Sequence, residues 1–449
     1  MEEKKKYLFD NKSLAILILP LLVEQLLAVL VGLADSIMVA SVGEAAVSGV
    51  SLVDNIMVLF INLFAALATG GAVIAGQYLG QEDRKSSGKA ATQLMWFIAA
   101  SSVVIMALIY LGKGFILHQV FGAIDEDVMR HADIYLMIVT ASIPFIAIYN
   151  GGAAIFRTMG NSGVSMRVSI VMNVINCAGN AILIYGFHRG TEGVAIPTLV
   201  SRFVAAILIS WLLIRTKGPI QVTPSLKFRF DNRMVNRILR IGLPNGLENS
   251  MFQLGKILVL SLVSTFGTSA IAANAVANVV AQFQILPGMA INLAVTSVIA
   301  RCVGAGEYKQ AEYYTKKLIA LIYGCMLTIN VLIFMLLPFI MKIYQLTPQT
   351  AETTELLLHF HTVCCVLIWP LSFSLPCTLR AAGDARVTMW ISVVSMWICR
   401  IVMSYVLGAW FGIGVLGIWI AMVLDWCVRT VCMIYRYRTG KWKLIDSIG

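Results

Sequence analysis

Long apolar runs, of which Leu14 to Val23 is one, alternate along this chain with short stretches of charge, glycine or proline. A helix needs about 20 apolar residues to cross the hydrocarbon of a bilayer. Hydropathy and breakers together predict twelve such spans, at 13-37, 49-79, 91-115, 132-156, 166-188, 193-215, 240-265, 272-303, 317-343, 355-380, 389-411 and 415-436. A transmembrane barrel would instead alternate polar and apolar residues in segments of about ten. The expected fold is therefore all-α and integral to the membrane.

Composition supports this reading: of 449 residues 59% are apolar and 13% charged, which leaves too little polar surface for one soluble domain of this length. The net charge of +11 need not imply nucleic acid, because cytoplasmic loops of membrane proteins are rich in Lys and Arg. Of the 34 basic residues, 26 fall in the N-terminus, alternate loops and tail. The opposite loops hold only Lys113, Arg130, Arg189 and Lys342, and Arg202, Lys256, Arg400 and Arg429 lie within spans. The skew predicts a multi-pass protein of the cell membrane, in bacteria the inner membrane, with both termini cytoplasmic. The start, Met-Glu-Glu-Lys-Lys-Lys, has no small-residue cleavage site after the first apolar run, so that run is expected to be retained. The nine cysteines show no metal or redox spacing, and Cys364-Cys365 reads as apolar packing.

The second half repeats the first. Pro20, Glu24, Gly43 and Gly80 correspond to Pro244, Glu248, Gly267 and Gly304 at a constant 224 positions, and Arg157, Gly160 and Met166 correspond to Arg380, Gly383 and Met389 at 223. This predicts a six-helix lobe over 1-215, a cytoplasmic linker over 216-239 and a second six-helix lobe with a short basic tail over 240-449. Parallel repeats of this kind occur in secondary transporters, whose substrate path lies between the halves.

Ionisable groups within spans are costly and turn inward, pair, or serve function. The acids are Glu24, Asp35, Asp54, Glu248 and Asp425. Asp425 precedes Arg429 by one turn, and a structural ion pair is expected, with Arg400 also in reach. Glu24 and Glu248 each follow a proline by four residues; they are candidates for function or for bonding the backbone that the proline frees. Asp54 is a candidate or an interfacial residue. Asp35 stands apart because the fifth span offers a polar stripe, Ser165, Ser169, Asn173, Asn176 and Asn180, and the sixth adds Thr198 and Ser201. Amides, hydroxyls and one carboxylate suit a hard cation such as Na⁺ or a hydrogen-bonded proton, and helix-helix glue is the competing reading. Lys256 reads either as snorkelling or as facing Asp35 to temper its charge. His359 and His361 fall on different helix faces and read as packing, so an integral-membrane transferase has little support.

The runs PLLVEQLLAVLVGLADSIMVASVGEAAVSGVSLVDN (20-55), ALATGGAVIAGQYLG (66-80), IFRTMGNSGVSM (155-166), GLPNGLENSMFQLGKILVLSLVSTFGTSAIAANAVA (242-277) and LRAAGDARVTMWISVVSMWICRIVMSYVLG (379-408) resemble the multidrug and toxic compound extrusion family, on its bacterial, DinF-like side. The resemblance implies twelve transmembrane helices in two parallel-repeat lobes around a central cleft, and a secondary active multidrug efflux antiporter. Such a protein is not an enzyme and has no cofactor. It exports amphipathic drugs or organic cations by alternating access, in exchange for H⁺ or Na⁺. The partners implied are small molecules and the lipid bilayer, and a monomer is expected. The cation-coupling set it implies here is Asp35, Asn176, Asn180 and Thr198, with Glu24, Glu248, Asp54, Asn173 and Lys256 as secondary candidates. Asn180 stands where the family pattern has Asp, which removes one negative charge and leaves an oxygen ligand. The tenth span holds no acid after Glu355 at its start, so a second coupling site of the NorM type is not expected. The alternative within the wider superfamily is a flippase of lipid-linked precursors, which favours a cleft richer in cations.

Overall fold

The structure, a computed structural model, describes residues 7–121, 125–223 and 229–445. Of the basic residues that carry the topology argument, Lys4, Lys5, Lys6 and Lys227 lie outside them. The described residues form helices joined by short turns and loops, with no strand among them. The first half forms α1 (Asn11–Ala40), α2 (Glu44–Gly80), α3 (Arg84–Leu111), α4 (Lys113–Phe115), α5 (Glu126–Thr140), α6 (Ile143–Thr158), α7 (Ser162–Ala181) and α8 (Glu192–Arg215). The second forms α9 (Asn232–Ser264), α10 (Thr268–Gly304), α11 (Tyr308–Tyr344), α12 (Pro348–Ala381), α13 (Ala385–Ser395) and α14 (Val415–Arg438). π-helical segments extend α7 over Ile182–Gly186 and follow α13 over Met396–Val402.

Ten helices among the described residues are long and apolar enough to cross a membrane, and two more expected spans depart from that pattern. The span expected at 132-156 is a bent pair, α5 and α6, turning by 47° between Thr140 and Ile143. Pro144 opens α6, and a proline cannot supply the N–H that an unbroken helix would need there. The span expected at 240-265 lies in α9, which has 33 residues but carries Arg240, Asn245, Glu248, Asn249 and Lys256 within its length. Its polarity has a use, taken up below.

Two compact units divide the described residues, one within 11–246 and the other within 247–445 together with 7–10. The start of α9 is therefore part of the first unit. Asp231 caps it, accepting from the backbone N–H groups of Arg233 (3.0 Å) and Met234 (3.2 Å), and Lys89 of α3 pairs with the same carboxylate. Those bonds hold the half-buried Asp231 carboxyl below the usual carboxylate range, the Lys89 bond most of all. Gln93 of α3 donates to the Arg229 carbonyl at 2.9 Å and accepts from Asp231 N–H at 3.2 Å. Deeper in, Gly70 of α2 meets α9 backbone to backbone. A Cβ at Gly70 would stand 2.6 Å from the Gly242 nitrogen and 2.7 Å from the Ile238 carbonyl oxygen. In the second unit Phe9 N–H donates to the Tyr314 hydroxyl at 3.0 Å, and that hydroxyl donates to the Phe9 carbonyl at 2.6 Å. The second unit's apolar core gathers Leu262, Val263, Leu337, Leu357 and Trp419 from four helices.

Because no side chain can yield at the Gly70 contact, Gly70→Ala must push α9 away from α2. Overpacking of this kind costs about 1–3 kcal/mol. The purified variant should melt several degrees below the parent in a tryptophan-fluorescence unfolding scan, and an unchanged midpoint would show that α2 and α9 separate freely.

Candidate functional site

Glu24 and Asp35 are eleven residues apart on α1, which is three turns, so both lie on one face. That face packs on α7. Ser165 donates its hydroxyl to Glu24 Oε2 at 3.0 Å, and Asn180 donates its amide to Asp35 Oδ1 at 2.8 Å, so α1 and α7 run parallel with the polar stripe between them. Ser165, Ser169, Asn176 and Asn180 are buried. Asn173 is half-buried and bonds only within its own helix, to Ser169 at 3.3 Å.

At the Asp35 end the structure brings together the four residues Asp35, Asn176, Asn180 and Thr198. Asn176 and Thr198 are joined at 3.1 Å. With the Asn176 amide turned over, its NH₂ donates to Asp35 Oδ1 at 2.9 Å and Oδ2 at 3.1 Å, while its oxygen faces the Thr198 hydroxyl. Hydrogen bonding favours that orientation, since an ionised carboxylate only accepts. Asn180 Oδ1 is buried and has no hydrogen-bond partner among the described residues, an acceptor left over beside a carboxylate. The closeness of α7 and α8 has a steric cause: a Cβ at Gly179 would stand 2.7 Å from the Pro197 ring. The cluster therefore presents one negative charge, amide and hydroxyl oxygens, and spare acceptor capacity, which is suited to one proton or one small hard cation.

Asp54 is not a bare interfacial residue. It is half-buried and accepts from the Tyr135 hydroxyl of α5 at 2.9 Å. Arg202 of α8 lies within electrostatic range of both Asp35 and Asp54, and donates to Ser142 Oγ at 2.8 Å. Sequence reasoning passed over Arg202, although it stands four residues after Thr198 and so on the same helix face.

Glu24 and Glu248 form ion pairs; their carboxylates do not serve backbone freed by proline. Arg157 Nη2 lies 3.2 Å from Glu24 Oε1, and Arg380 Nη1 lies 3.0 Å from Glu248 Oε2. Tyr149 adds a hydroxyl bond to Glu24 at 3.2 Å. Both arginines are among the 26 basic residues that the sequence assigns to the cytoplasmic side. The missed signal was the repeat itself, because Arg157 and Arg380 are mates just as Glu24 and Glu248 are. Each arginine ends a helix in the same glycine turn: Gly160 (φ 83°) and Gly383 (φ 95°) donate N–H to the Arg157 and Arg380 carbonyls at 2.9 Å. The left-handed conformation there favours glycine.

In the second unit Asp425 and Arg429 pair at 3.3 Å, fully buried, as their spacing predicts. Lys256 is exposed and joins no acid in an ion pair among the described residues. His361 bonds Gln284 at 2.5 Å and packs edge-on to Trp419 and Trp426, a core role, while His359 lies against Phe334. No group of three His, Cys, Asp or Glu among the described residues is arranged to hold a metal.

A family model described as MatE matches residues 20–182 and 244–406, two segments offset by 224 as the internal repeat is. The chain is 28% identical to the uncharacterized transporter YisQ of Bacillus subtilis (strain 168), covering 96% of this chain and 94% of that one. It is 23% identical to the probable multidrug resistance protein NorM of Thermotoga maritima, over 96% and 93%. Among solved structures, a MOP superfamily transporter from Pyrococcus furiosus superposes with a TM-score of 0.89 at 20% identity, covering 96% of each chain. An outward-facing multidrug resistance MATE family transporter does so with 0.89 at 19% identity, covering 97% of each.

Breaking one partner of a buried ion pair strands the other charge at a cost of about 3–5 kcal/mol. Arg157→Met should accordingly lower the melting midpoint sharply, and adding Glu24→Gln should recover most of the loss. If the double variant melts no higher than the single one, charge pairing is not what Arg157 contributes.

Proposed function

Because the chain belongs to the MatE family of membrane transporters, we propose that it is a secondary active antiporter, exporting amphipathic organic cations in exchange for H⁺ or Na⁺. The observation that carries this reading is the Asp35 cluster. A carboxylate within a span is met by neutral amides and a hydroxyl, with Asn180 Oδ1 unpartnered and no basic side chain bonded to it among the described residues. A carboxylate cancelled by a cation, as at Glu24, has no need of a bound ion. Asp35 retains its charge for one.

Occupancy then changes the local interactions. A proton or Na⁺ on Asp35 takes up carboxylate lone pairs that the Asn176 and Asn180 amides otherwise share, so the packing of α1 on α7 and α8 differs between the loaded and empty states. Coupling requires only that the ion bind two conformations with different affinity. Asn180 in place of a second acid leaves the site a single full charge, which matches exchange of one monovalent ion. Secondary roles fall to Asp54 and Arg202, which set the field at Asp35, whereas Glu24 and Glu248 hold helices together. The topology proposed places both termini in the cytoplasm, on the support of the uneven distribution of Lys and Arg. A second reading, a flippase of lipid-linked precursors, draws support from the surplus of positive charge in the second unit.

Asp35→Asn keeps the shape of the site and removes its charge. In proteoliposomes with an imposed pH or Na⁺ gradient, gradient-driven efflux of an organic cation such as ethidium should fall at least about tenfold, with the melting midpoint retained. Which gradient drives the parent identifies the ion. Undiminished efflux by the variant would remove Asp35 from the mechanism.

A further inference from the structure

The second unit concentrates positive charge around one aromatic ring. Phe252 and Lys256 are one turn apart on α9 and share a face. The Arg429 guanidinium of α14 lies 4.6 Å from the Phe252 ring centroid and 4.9 Å from that of Phe373 on α12. Arg400 lies 5.9 Å from the same Phe252 ring, carried by the π-helical segment Met396–Val402. That segment reaches α9 because Gly255 leaves room for it, a Cβ there standing 3.1 Å from Met396 Sδ and 3.4 Å from Ile401 Cδ1.

Arg400 and Arg429 thus share a single acid, Asp425. Its carboxylate is engaged by Arg429 at 3.3 Å and accepts from Ser395 at 2.7 Å. Arg400 feels the opposing charges of Asp425 and Arg429, and Lys256 and Arg400 stand close enough to repel one another. Neither Lys256 nor Arg400 has an ion pair or a side-chain hydrogen bond among the described residues. Their neighbour His361 is engaged with Gln284 and adds no negative charge. Two like charges with no acid bonded to either are costly within spans. Snorkelling accounts for Lys256 alone, because Arg400 is held over an aromatic ring. π-helical turns recur where side chains are placed for function.

We propose that Lys256 and Arg400 form, with the Phe252 ring, an anion subsite that takes the carboxylate or phosphate group of an amphipathic ligand. A guanidinium offers a planar fork matched to either group, an ammonium adds a point charge, and the ring supports the ligand's apolar body. The subsite lies in a different unit from Asp35 and is independent of ion coupling there.

The test is equilibrium dialysis of the full chain in phosphatidylcholine nanodiscs, using 1-naphthyl phosphate, 1-naphthoate and the size-matched cation 1-naphthylmethylammonium. Both anions should bind saturably. Lys256→Gln and Arg400→Gln should each weaken them about tenfold, the scale of a charge-assisted hydrogen bond, while Lys256→Arg and Arg400→Lys keep most of the affinity. The cation should bind no more weakly to the Gln variants than to the parent. Lys256 is exposed, so its variant reports even if Arg400→Gln folds poorly. In nanodiscs containing phosphatidylglycerol, displacement of the phosphate probe identifies a lipid headgroup as the ligand, and undisturbed binding identifies a soluble one. No saturable anion binding by the parent, or equal affinity in Lys256→Gln, overturns the subsite. Asp35→Asn should bind the anions as the parent does, so failure of this proposal and failure of the coupling site register in different assays.

Discussion

A charge inside a bilayer has to be answered by the protein, since neither water nor lipid will do so. This constraint orders the helices of both units. Glu24 on α1 is answered by Arg157 from the end of α6, with Tyr149 and Ser165 completing its shell. Glu248 on α9 is answered by Arg380 from the end of α12. The same glycine turn presents the arginine in each case, so one solution serves both halves of the repeat. Each pair ties the first helix of its half to a helix distant in sequence.

Where this cancellation is withheld, the site becomes capable of chemistry. Asp35 is met by dipoles and not by a formal positive charge, and dipoles can reorient while a buried guanidinium cannot leave. In the second unit the imbalance has the opposite sign, with Arg400 and Lys256 in excess over Asp425. Two halves built on one plan have therefore kept the same pairs at positions 24 and 248 and diverged near the other ends of their first helices. Position 32 is glycine where its repeat mate, 256, is lysine, and Asp35 has no acidic counterpart at Val259.

The polar stripe of α7 shows what periodicity can and cannot convey. Its spacing places Ser165, Ser169, Asn173, Asn176 and Asn180 on one face, and the structure buries all of them except Asn173, which is half-buried. It did not indicate that the stripe serves two acids, Ser165 bonding Glu24 and the amides bonding Asp35. The span at 132-156 is bent at a point that apolar content alone hides, beside the break that Pro144 introduces. The polar residues of α9 lower its hydropathy, and they are explained once Glu248 is paired and the helix start is docked on α3.

The sequence by itself determined the all-helical membrane fold, the duplication and the short list of acids, because these depend on local hydropathy, on register and on the cost of charge in hydrocarbon. It also determined the Asp425–Arg429 pair, since partners one helical turn apart need no tertiary information. Only the tertiary structure decided that Arg157 and Arg380 turn inward to acids more than 130 positions away, that Asp35 receives amides, and that Arg400 and Arg429 converge on Phe252. Those choices rest on the close approach of helices far apart along the chain, which hydropathy and spacing do not encode.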